Sequence, residues 1–429
     1  MKIFGYNFKK AKKIINDYKI LSIDESNNWG KKVKWDIAFF HYSHNPIYRN
    51  KVGRFFPDKW EDLPIMEKKD FQSDITNILT KGYKKKNLYI SSTSGSTGTP
   101  FYYAKNKFAH SMTWALTLDR YSWYGLELRS KEARFYGRSN RALIKIKESF
   151  KDLIMNRVLF NVFDLSDKSC EKYLKSFSKV KIKYIYGYTN SLILFSKFLK
   201  KKDIRLKHIC KSLSFCITTS EMLSIADRNL LSENFGVPIV NEYGVSEAGG
   251  IVAFENKNSN WELSNETQFI EVIDKDKKKL LDESDGEILI TDLYNKAMPF
   301  IRYRVGDLGR ITVTEDKRFL DKLIGRTNDT IILSNGKISP GLTFYYVSRS
   351  LLESTGIVKE FIIKQTKTDT FIFDIIMDRN FNKKEISLLE KNLKTHLGPN
   401  LKLIINRVDK IKRPTSGKIK HFYSEINEY

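Results

Sequence analysis

The sequence contains few cysteines, which limits the covalent and metal chemistry to expect. Of its 429 residues only Cys170, Cys210 and Cys216 are cysteines. Their spacing suggests no disulfide framework, so we expect a reducing compartment. His208 lies close to Cys210, but this spacing matches no zinc pattern, and free buried cysteines are the commoner explanation.

Long apolar runs are also missing. No run reaches the length that crosses a bilayer, and the first residues lack the apolar core of a secretory signal. We therefore expect a cytoplasmic protein with peripheral membrane contact at most. In the segment 11–18, Ile14, Ile15 and Tyr18 recur at helical spacing between lysines. Such a basic helix either lies on anionic lipid or, more commonly, packs on its own domain.

The composition is that of a folded protein with a large positive charge. Hydrophobic residues make up 41% and the formal net charge is +25, and the length allows two or more domains. A charge of this size suits nucleic acid, an anionic membrane or an acidic substrate. The lysines are scattered, however, and no basic-aromatic recognition motif occurs, so only non-specific, salt-sensitive nucleic-acid binding is expected.

Strands and helices alternate through the middle of the chain. Strands are predicted at 182–187, 212–217 and 237–240, and helices at 107–125 and 191–200. This alternation is typical of an α/β fold with a mostly parallel sheet, whose ligands bind where strands end. We therefore place the candidate site in the loops after Ile90, Ile217 and Val240.

A run of hydroxyl residues and glycines follows the strand predicted at 87–90. In Thr93-Ser-Gly-Ser-Thr-Gly-Thr-Pro100 the glycines let backbone N–H groups face a ligand, and the hydroxyls can donate to phosphate oxygens. The loop is not a Walker A motif, because no lysine follows the glycines. Taken alone, it fits a flexible linker equally well.

Three further segments carry polar groups suited to a nucleotide. In Asn241-Glu-Tyr-Gly-Val-Ser-Glu247 a ring can stack on a base and a carboxylate can hold magnesium; alone, it fits a surface turn around Gly244. Asp307 can accept both hydroxyls of a ribose. Lys418, in Arg413-Pro-Thr-Ser-Gly-Lys418, can meet a phosphate or carboxylate oxygen, although one lysine by itself is usually a solvated charge.

Together these motifs resemble the adenylate-forming superfamily of acyl-CoA synthetases, peptide adenylation domains and luciferases. The likeness is greatest to the phenylacetate-CoA ligase branch and its capsular-polysaccharide-biosynthesis members. It is carried by the segments 93–100, 242–247, 298–307, 325–326 and 414–418, which occur in the family's order. The segments 45–49 and 63–71 are similar to that branch's N-terminal part, so the resemblance covers nearly the whole chain.

The resemblance implies an α/β fold with a large multi-sheet N-terminal domain, 1–325, and a small mobile α+β C-terminal domain, 326–429, which carries Lys418. It also implies that a carboxylic acid and ATP form an acyl-adenylate and pyrophosphate. The acyl group then passes to CoA, a carrier thiol, or an amine or hydroxyl of a sugar precursor. Because like charges meet in the first step, positioning and positive charge matter more than acid or base groups.

The resemblance assigns roles residue by residue. Lys418 would bridge the carboxylate and the α-phosphate, Ser246 would bind the α-phosphate, and Glu247 would hold Mg²⁺. The remaining nucleotide-binding residues are Thr93, Ser94, Gly95, Ser96, Thr97, Gly98, Ser220, Glu221, Glu242, Tyr243, Gly244, Asp307 and Arg326. The acyl pocket would include Tyr136, Gly137, Tyr188 and Thr218.

The chain departs from the family's pattern at three places. Phe101 follows Pro100 where many members have lysine, and Asn328 occupies a hinge position often held by Asp or Lys. The segment 254–256 has no cysteine where some phenylacetate ligases carry a cluster, so no zinc is predicted. Two other interpretations stay open: a nucleotide-binding module without catalysis, and an acyltransfer enzyme held at a membrane by its N-terminal helix.

Overall fold

The computed structural model describes residues 2–3, 6–93, 101–137, 149–274, 283–314, 317–326, 330–332, 338–340, 357–397, 401–411 and 422–426. The described chain divides into two compact units. One is built on Met1–Val305 with Arg310–Lys322, and the other on Leu323–Pro414 with Gly306–Gly309. The mixed α/β architecture with one large sheet confirms the predicted fold class.

The first unit begins with a small hairpin and three helices. These elements are β1 (Lys2–Ile3), β2 (Tyr6–Asn7) and the helices Phe8–Lys19, Ile23–His44 and Pro46–Val52. The second helix begins at a capping box, in which Ser22 and Glu25 each accept the other's backbone N–H. The first helix buries Ala11 and Ile15 in the apolar cluster of its own unit, so the predicted amphipathic helix packs on its domain.

A two-stranded sheet carries the hydroxyl-rich segment. Short helical turns at Trp60–Asp62, Lys68–Phe71, Ile75–Ile78 and Lys85–Asn87 lead to β3 (Leu88–Thr93), which pairs antiparallel with β4 (Phe101–Asn106). The sequence placed the strand before this loop in the parallel sheet, and that placement is wrong. Cross-strand pairing with the next segment decides its position. The helix Lys107–Ser122 follows, as predicted.

Five parallel strands form the centre of the large sheet. They are β5 (Glu132–Tyr136), β6 (Arg157–Asn161), β7 (Tyr184–Tyr188), β8 (Phe215–Thr219) and β9 (Ile239–Val245), in the spatial order β9-β8-β7-β5-β6. The helices between them are Asp167–Lys179, Thr189–Lys201, Leu206–Ile209 and Ile225–Phe235. This confirms the predicted parallel sheet, but β9 runs five residues beyond Val240, so residues 241–245 lie within the strand rather than in a loop after it.

Six further strands extend this sheet to eleven. They are β10 (Gly250–Glu255), β11 (Trp261–Leu263), β12 (Gln268–Ile273), β13 (Gly286–Asp292), β14 (Tyr303–Val313) and β15 (Arg318–Arg326). One face of the parallel part is covered by an aromatic cluster that includes Phe135, Phe160 and Phe195. On the other face the helix Lys107–Ser122 packs Met112 and Leu116 against the sheet. The parallel part is therefore buried on both faces.

The second unit is a small α+β unit. Its elements are β16 (Thr330–Ile332), β17 (Ile338–Pro340), β18 (Val358–Lys367), β19 (Thr370–Met377), the helix Lys383–Leu397, β20 (Lys402–Arg407) and β21 (Phe422–Ser424). β16 and β17 pair antiparallel. Four strands form a sheet in the order β20-β19-β18-β21, over a core that includes Phe361, Phe373 and Leu393.

No helix in the described ranges is both long enough and apolar enough to cross a bilayer.

Candidate functional site

Four predicted segments meet at one edge of the parallel sheet. Across the sheet, Phe135 of β5 lies opposite Gly187 of β7, Gly187 opposite Thr218 of β8, and Thr218 opposite Asn241 of β9. The carboxyl ends of these strands therefore bring Tyr136, Tyr188 and the segment after Asn241 to the same side. This is where ligands bind in open α/β sheets.

Glu242 is the centre of a buried hydrogen-bond network at this edge. Only 7% of the residue is exposed. Its Oε1 accepts from the Tyr186 hydroxyl at 2.8 Å and from Thr219 Oγ1 at 3.3 Å, and its Oε2 accepts from the Tyr121 hydroxyl at 3.4 Å. Burial raises the pKa of Glu242, and these hydroxyls together with Arg134 oppose that shift.

Arg134 supplies a cation beside the same network. Its guanidinium lies over the rings of Tyr136 and Tyr186, 4.6 and 5.0 Å from their centroids, and its Nη1 is 3.2 Å from Glu132 Oε1. Burial disfavours this charge, but Glu132 and the ring hydroxyls outweigh burial and raise the pKa of Arg134. The predicted pocket residue Tyr136 is thus held by stacking and by a cation, with its ring 4.2 Å from that of Tyr188.

The polar groups of the remaining pocket residues differ in accessibility. Thr218 is fully buried, and its Oγ1 donates to Val240 O at 3.3 Å and to Asn241 Oδ1 at 3.2 Å. Gly137 follows β5 and is half-buried. The hydroxyl of Thr218 therefore serves the strand pairing, whereas the Tyr136 and Tyr188 rings form an aromatic wall.

Ser220 and Glu221 come directly after β8. Ser220 is exposed and has a φ of 69°, in the left-handed region that residues with a Cβ seldom adopt. Such backbone is concentrated at functional sites. The Glu221 carboxylate accepts from the backbone N–H of Asn190 at 2.8 Å, in the first turn of the helix Thr189–Lys201, so it anchors that helix next to Tyr188.

Ser246 and Glu247 lie on a tight turn directly after β9, whereas Tyr243 and Gly244 lie within that strand. Gly249 and Gly250 have φ values of 101° and 107°, and Thr113 Oγ1 donates to Gly249 O at 3.1 Å. Ser246 and Gly244 are exposed and Glu247 is half-buried, while Tyr243 is only 7% exposed. The Tyr303 hydroxyl donates to Glu247 Oε1 at 3.4 Å. The turn thus presents a hydroxyl and a carboxylate next to each other.

Lys105 places a buried cation near Glu247. It lies in β4, is 2% exposed, and donates from Nζ to Thr113 Oγ1 at 3.3 Å. Burial lowers the pKa of Lys105, while Asp292 and Glu247 oppose that shift. Burial likewise raises the pKa of Asp292, opposed by Lys105 and by the backbone N–H groups of residues 294 and 295. The Lys105 ammonium therefore interacts electrostatically with two carboxylates, those of Glu247 and Asp292.

The donor set at this turn fits a magnesium ion. Mg²⁺ prefers carboxylate oxygens and keeps several water ligands, so it needs few protein ligands. Glu247 offers such an oxygen on a partly open turn, and the Ser246 hydroxyl is its neighbour.

Several predicted residues stay outside this geometry. Ser94, Gly95, Ser96, Thr97, Gly98, Lys418 and Asn328 lie outside the described residues. Thr93 ends β3 and Arg326 ends β15, but their side chains are not among those described. Asp307 lies within β14 and is 8% exposed. The roles assigned to all of these remain predictions.

Comparison with known proteins bears on the second unit and on most of the chain. Residues 342–425 match the family described as the CapK C-terminal domain. The chain is 24% identical over 375 residues to protein CapK of Staphylococcus aureus, covering 83% of this chain and 78% of that protein. It is 26% identical to a phenylacetate-coenzyme A ligase of Aromatoleum evansii, covering 49% of this chain and 50% of that one.

The fold has solved counterparts. One is a 2-hydroxyisobutyryl-CoA ligase, solved in its postadenylation state with the adenylate 2-HIB-AMP. It aligns with this chain at a TM-score of 0.70 and 13% sequence identity, and the alignment covers 95% of this chain and 90% of the ligase chain. These relatives and the shared fold support a member of the adenylate-forming superfamily. The resemblance predicted from the motifs is thereby confirmed, and the relatives support an AMP-forming ligase.

Sequence reasoning missed two charged residues of this site. Arg134 and Lys105 lie within strands, at positions that side-chain alternation alone assigns to a face of a sheet without saying what covers it. A signal was present in both cases. Each is a charged residue in a short run rich in aromatic residues, Ala-Arg-Phe-Tyr136 and Tyr-Tyr-Ala-Lys105, and buried charges are rare without a partner.

Proposed function

We propose that this protein joins a carboxylic acid to ATP, forming an acyl-adenylate and pyrophosphate, and then transfers the acyl group to an acceptor. The observation that carries this is the Ser246-Glu247 turn. It follows the carboxyl end of β9, its Glu247 interacts electrostatically with the buried Lys105, and Tyr136 and Tyr188 lie at the carboxyl ends of two other strands of the same parallel sheet. A hydroxyl, a carboxylate and an aromatic wall at the carboxyl ends of strands of one parallel sheet support these roles.

Both half-reactions exchange one bond for another. A carboxylate oxygen attacks the α-phosphorus, and the bond from that phosphorus to the bridging oxygen breaks to release pyrophosphate. In the second step a thiol, neutral amine or hydroxyl of the acceptor forms a bond to the acyl carbon, the bond from that carbon to the AMP oxygen breaks, AMP leaves, and the acceptor's proton is released to solvent. Bound Mg²⁺ would neutralise phosphate charge, which lowers the repulsion between the two anions.

The chain's own residues would orient these groups. Glu247 would hold the metal, Ser246 would donate to the α-phosphate, and Tyr243 would contact the adenine. Lys418 would place its ammonium between the carboxylate and the α-phosphate, where charge spreads in the transition state. The residues 93–98 would bind the outer phosphates, and Asp307 with Arg326 the ribose.

We propose CoA as the first acceptor to test, with a carrier thiol or a sugar amine or hydroxyl as alternatives. The phenylacetate-coenzyme A ligase relative supports a thiol, whereas the likeness to protein CapK supports a role in capsular polysaccharide assembly. We place the reaction in the cytoplasm, since the three cysteines are free thiols. The helix Phe8–Lys19 buries apolar residues within its own unit, which argues against an enzyme held at the membrane by this helix.

Pyrophosphate release tests the proposal. The protein, ATP and Mg²⁺ are incubated with a panel of aryl, acyl, amino and sugar acids, with and without CoA. We expect release that depends on one class of acid and falls by at least about a hundredfold in Lys418→Ala, as the loss of a transition-state contact requires. Lys410→Ala, an exposed lysine from the same stretch of chain, is the matched control.

Glu247→Gln separates the metal role from folding. It should raise the Mg²⁺ concentration needed for half-maximal rate about tenfold or more, with an unchanged thermal midpoint in the absence of Mg²⁺. Our proposal would be wrong if the protein bound nucleotide but released pyrophosphate with no acid, and if Lys418→Ala left that nucleotide binding unchanged. The protein would then be a nucleotide-binding module without catalysis.

A further inference from the structure

The buried tyrosine Tyr303 reaches the Glu247 carboxylate from β14. Tyr303 is the first residue of that strand, it is 3% exposed, and its hydroxyl donates to Glu247 Oε1 at 3.4 Å. A buried tyrosine hydroxyl usually has a hydrogen-bond partner, because leaving it unsatisfied is costly. The acceptor here belongs to the residue that we propose as the magnesium ligand.

The ring of Tyr303 is fixed by its surroundings. It lies against the rings of Phe71 and Phe300, with centroids 6.0 and 5.2 Å away. The backbone of Tyr303 pairs with that of Met66, and Arg304 donates from its backbone N–H to Met66 O at 2.9 Å. Side chains that packing holds in place can position a neighbouring group precisely. Tyr303 is therefore suited to hold Glu247 in one orientation.

Packing explains the ring of Tyr303 but not its hydroxyl. The rings on which it packs are phenyl rings, and a phenylalanine would fill the same space. Tyrosine adds one hydroxyl to that ring, and this hydroxyl is the donor to Glu247. The group that distinguishes Tyr303 from a packing residue is thus the group that contacts the carboxylate.

Lys105 and Tyr303 act on Glu247 in different ways. Lys105 interacts with Glu247 through its charge, and the attraction between two charges changes gradually with distance. A hydrogen bond, in contrast, weakens steeply when the donor direction is wrong. Lys105 therefore favours a negative charge at this place, whereas Tyr303 favours one orientation of the carboxylate.

Orientation matters for a carboxylate that holds a metal ion. Such carboxylates are themselves hydrogen-bonded, and the loss of the donor typically weakens metal binding by about 10–100-fold. A carboxylate has about four acceptor positions, so the bond from Tyr303 leaves acceptor capacity on the same group for a metal.

We propose that Tyr303 is a positioning residue of the adenylation reaction, whose hydroxyl orients the Glu247 carboxylate for magnesium. The inference rests on the proposed magnesium role of Glu247. Because Tyr303 acts through Glu247, its loss should change the use of magnesium more than the rate at saturating magnesium.

Tyr303→Phe removes only the hydroxyl and tests the proposal without chemistry. Calorimetry measures how tightly α,β-methylene ATP, which cannot release pyrophosphate, binds the protein in excess Mg²⁺ and in EDTA. The ratio of the two dissociation constants is the gain in affinity from magnesium. Tyr303→Phe should lower this gain about tenfold.

Tyr173→Phe is the matched control. The Tyr173 hydroxyl donates to Asn161 O at 2.7 Å, at the end of β6, and three strands separate β6 from β9. This variant also removes one tyrosine hydroxyl with a hydrogen bond, but the hydroxyl does not serve Glu247. It should leave the gain from magnesium unchanged.

Pyrophosphate release gives a second readout. In Tyr303→Phe the Mg²⁺ concentration for half-maximal rate should rise about tenfold, while the rate at saturating Mg²⁺ changes little. In a Glu247→Gln protein, Tyr303→Phe should have no further effect on the magnesium requirement, because both changes act through one carboxylate. A purely structural effect of Tyr303 would add to that of Glu247→Gln.

The outcomes separate this inference from the proposed function. If Glu247→Gln keeps the full gain from magnesium, the proposed magnesium role of Glu247 is wrong and the inference fails with it. If Glu247→Gln loses the gain but Tyr303→Phe keeps it, or if the two effects add, the inference alone is wrong. A Tyr303→Phe protein that does not fold would show that the hydroxyl serves the fold, which also contradicts a positioning role.

Discussion

The Tyr186 hydroxyl of β7 donates to Glu242 Oε1 of β9 at 2.8 Å, across β8, which lies between these two strands of the parallel sheet. Glu242 has almost no access to water, so its charge depends on the hydroxyl donors around it. Removing one of the hydroxyl groups that donate to Glu242 should therefore lower the free energy of unfolding.

Tyr186→Phe should lower the free energy of unfolding of the first unit by about 1–3 kcal/mol, because it removes one donor to a buried charge. It should also raise the pKa of Glu242 further, since the Tyr186 hydrogen bond opposes the rise. Denaturant titration measures the first effect. Tyr102→Phe, at an exposed tyrosine of β4, is the control, and equal losses in the two variants would refute the role of the network.

His41 makes stability depend on pH in the acid range. It is fully buried, and its ring nitrogens contact Asn295 O at 2.9 Å and Thr80 Oγ1 at 3.2 Å. Burial lowers the pKa of His41 from 6.5 to about 4. The unfolded chain therefore binds a proton at His41 more tightly than the folded chain does. The contribution of neutral His41 to the free energy of unfolding is complete above pH 6.5 and is lost as the pH falls toward 4. The shift corresponds to about 3 kcal/mol.

His41→Gln should flatten the loss of stability between pH 6.5 and 4, because a neutral amide has no proton to gain. Some slope should remain, since burial also lowers the pKa of His110 to about 4. Thermal midpoints between pH 6.5 and 4 measure this pH dependence of stability. The variant His208→Gln, at an exposed histidine, is the control. A slope that does not change in His41→Gln would show that other groups control acid unfolding.

The sequence predicted the parallel sheet well because its strands are short apolar runs between amphipathic helices. It could not predict that residues 241–245 continue β9, since Asn, Glu and Gly are poor strand formers and only pairing with β8 and β10 keeps them extended. The pairing of β3 with β4 was missed for a similar reason: hairpin partners are chosen by contact and not by local pattern.

The site was predicted from motifs in loops and turns, and the charged side chains within its strands were not predicted. Ser246 and Glu247 stand out because hydroxyl and carboxylate groups on a glycine turn have few structural uses. Lys105 and Arg134 stand out only once the groups that neutralise them are known, and those partners are distant in sequence or lie on other strands. Local patterns carry no information about such pairings.

Lys105 and Asp292 should behave as a coupled pair. Lys105→Met leaves the buried Asp292 without its opposing cation, so we expect a loss of about 1–3 kcal/mol in the free energy of unfolding. Asp292→Asn in the same protein should recover part of that loss. The two changes should interact by at least about 0.5 kcal/mol in a double-mutant cycle, and strict additivity would show that the two side chains do not sense each other.

Gly249 links the motif turn to β12. Its φ of 101° suits glycine, and a Cβ built on it would lie 2.5 Å from the Gln268 side chain. Gly249→Ala should therefore lower both the thermal midpoint and the rate of pyrophosphate release, with a higher Mg²⁺ requirement, because Glu247 lies two residues earlier on the same turn. Gly30→Ala, in an open helical position, should instead stabilise by about 0.5–1 kcal/mol.

The double variant Gly249→Ala/Gln268→Ala separates the two causes of this effect. Shortening Gln268 removes the clash but leaves the unfavourable φ, so stability should recover in part while the Mg²⁺ requirement stays raised. Full recovery of both would show that crowding alone, and not backbone conformation, makes glycine necessary at this turn. A single variant with an unchanged Mg²⁺ requirement would mean that the Gly249-Gly250 turn does not position Glu247.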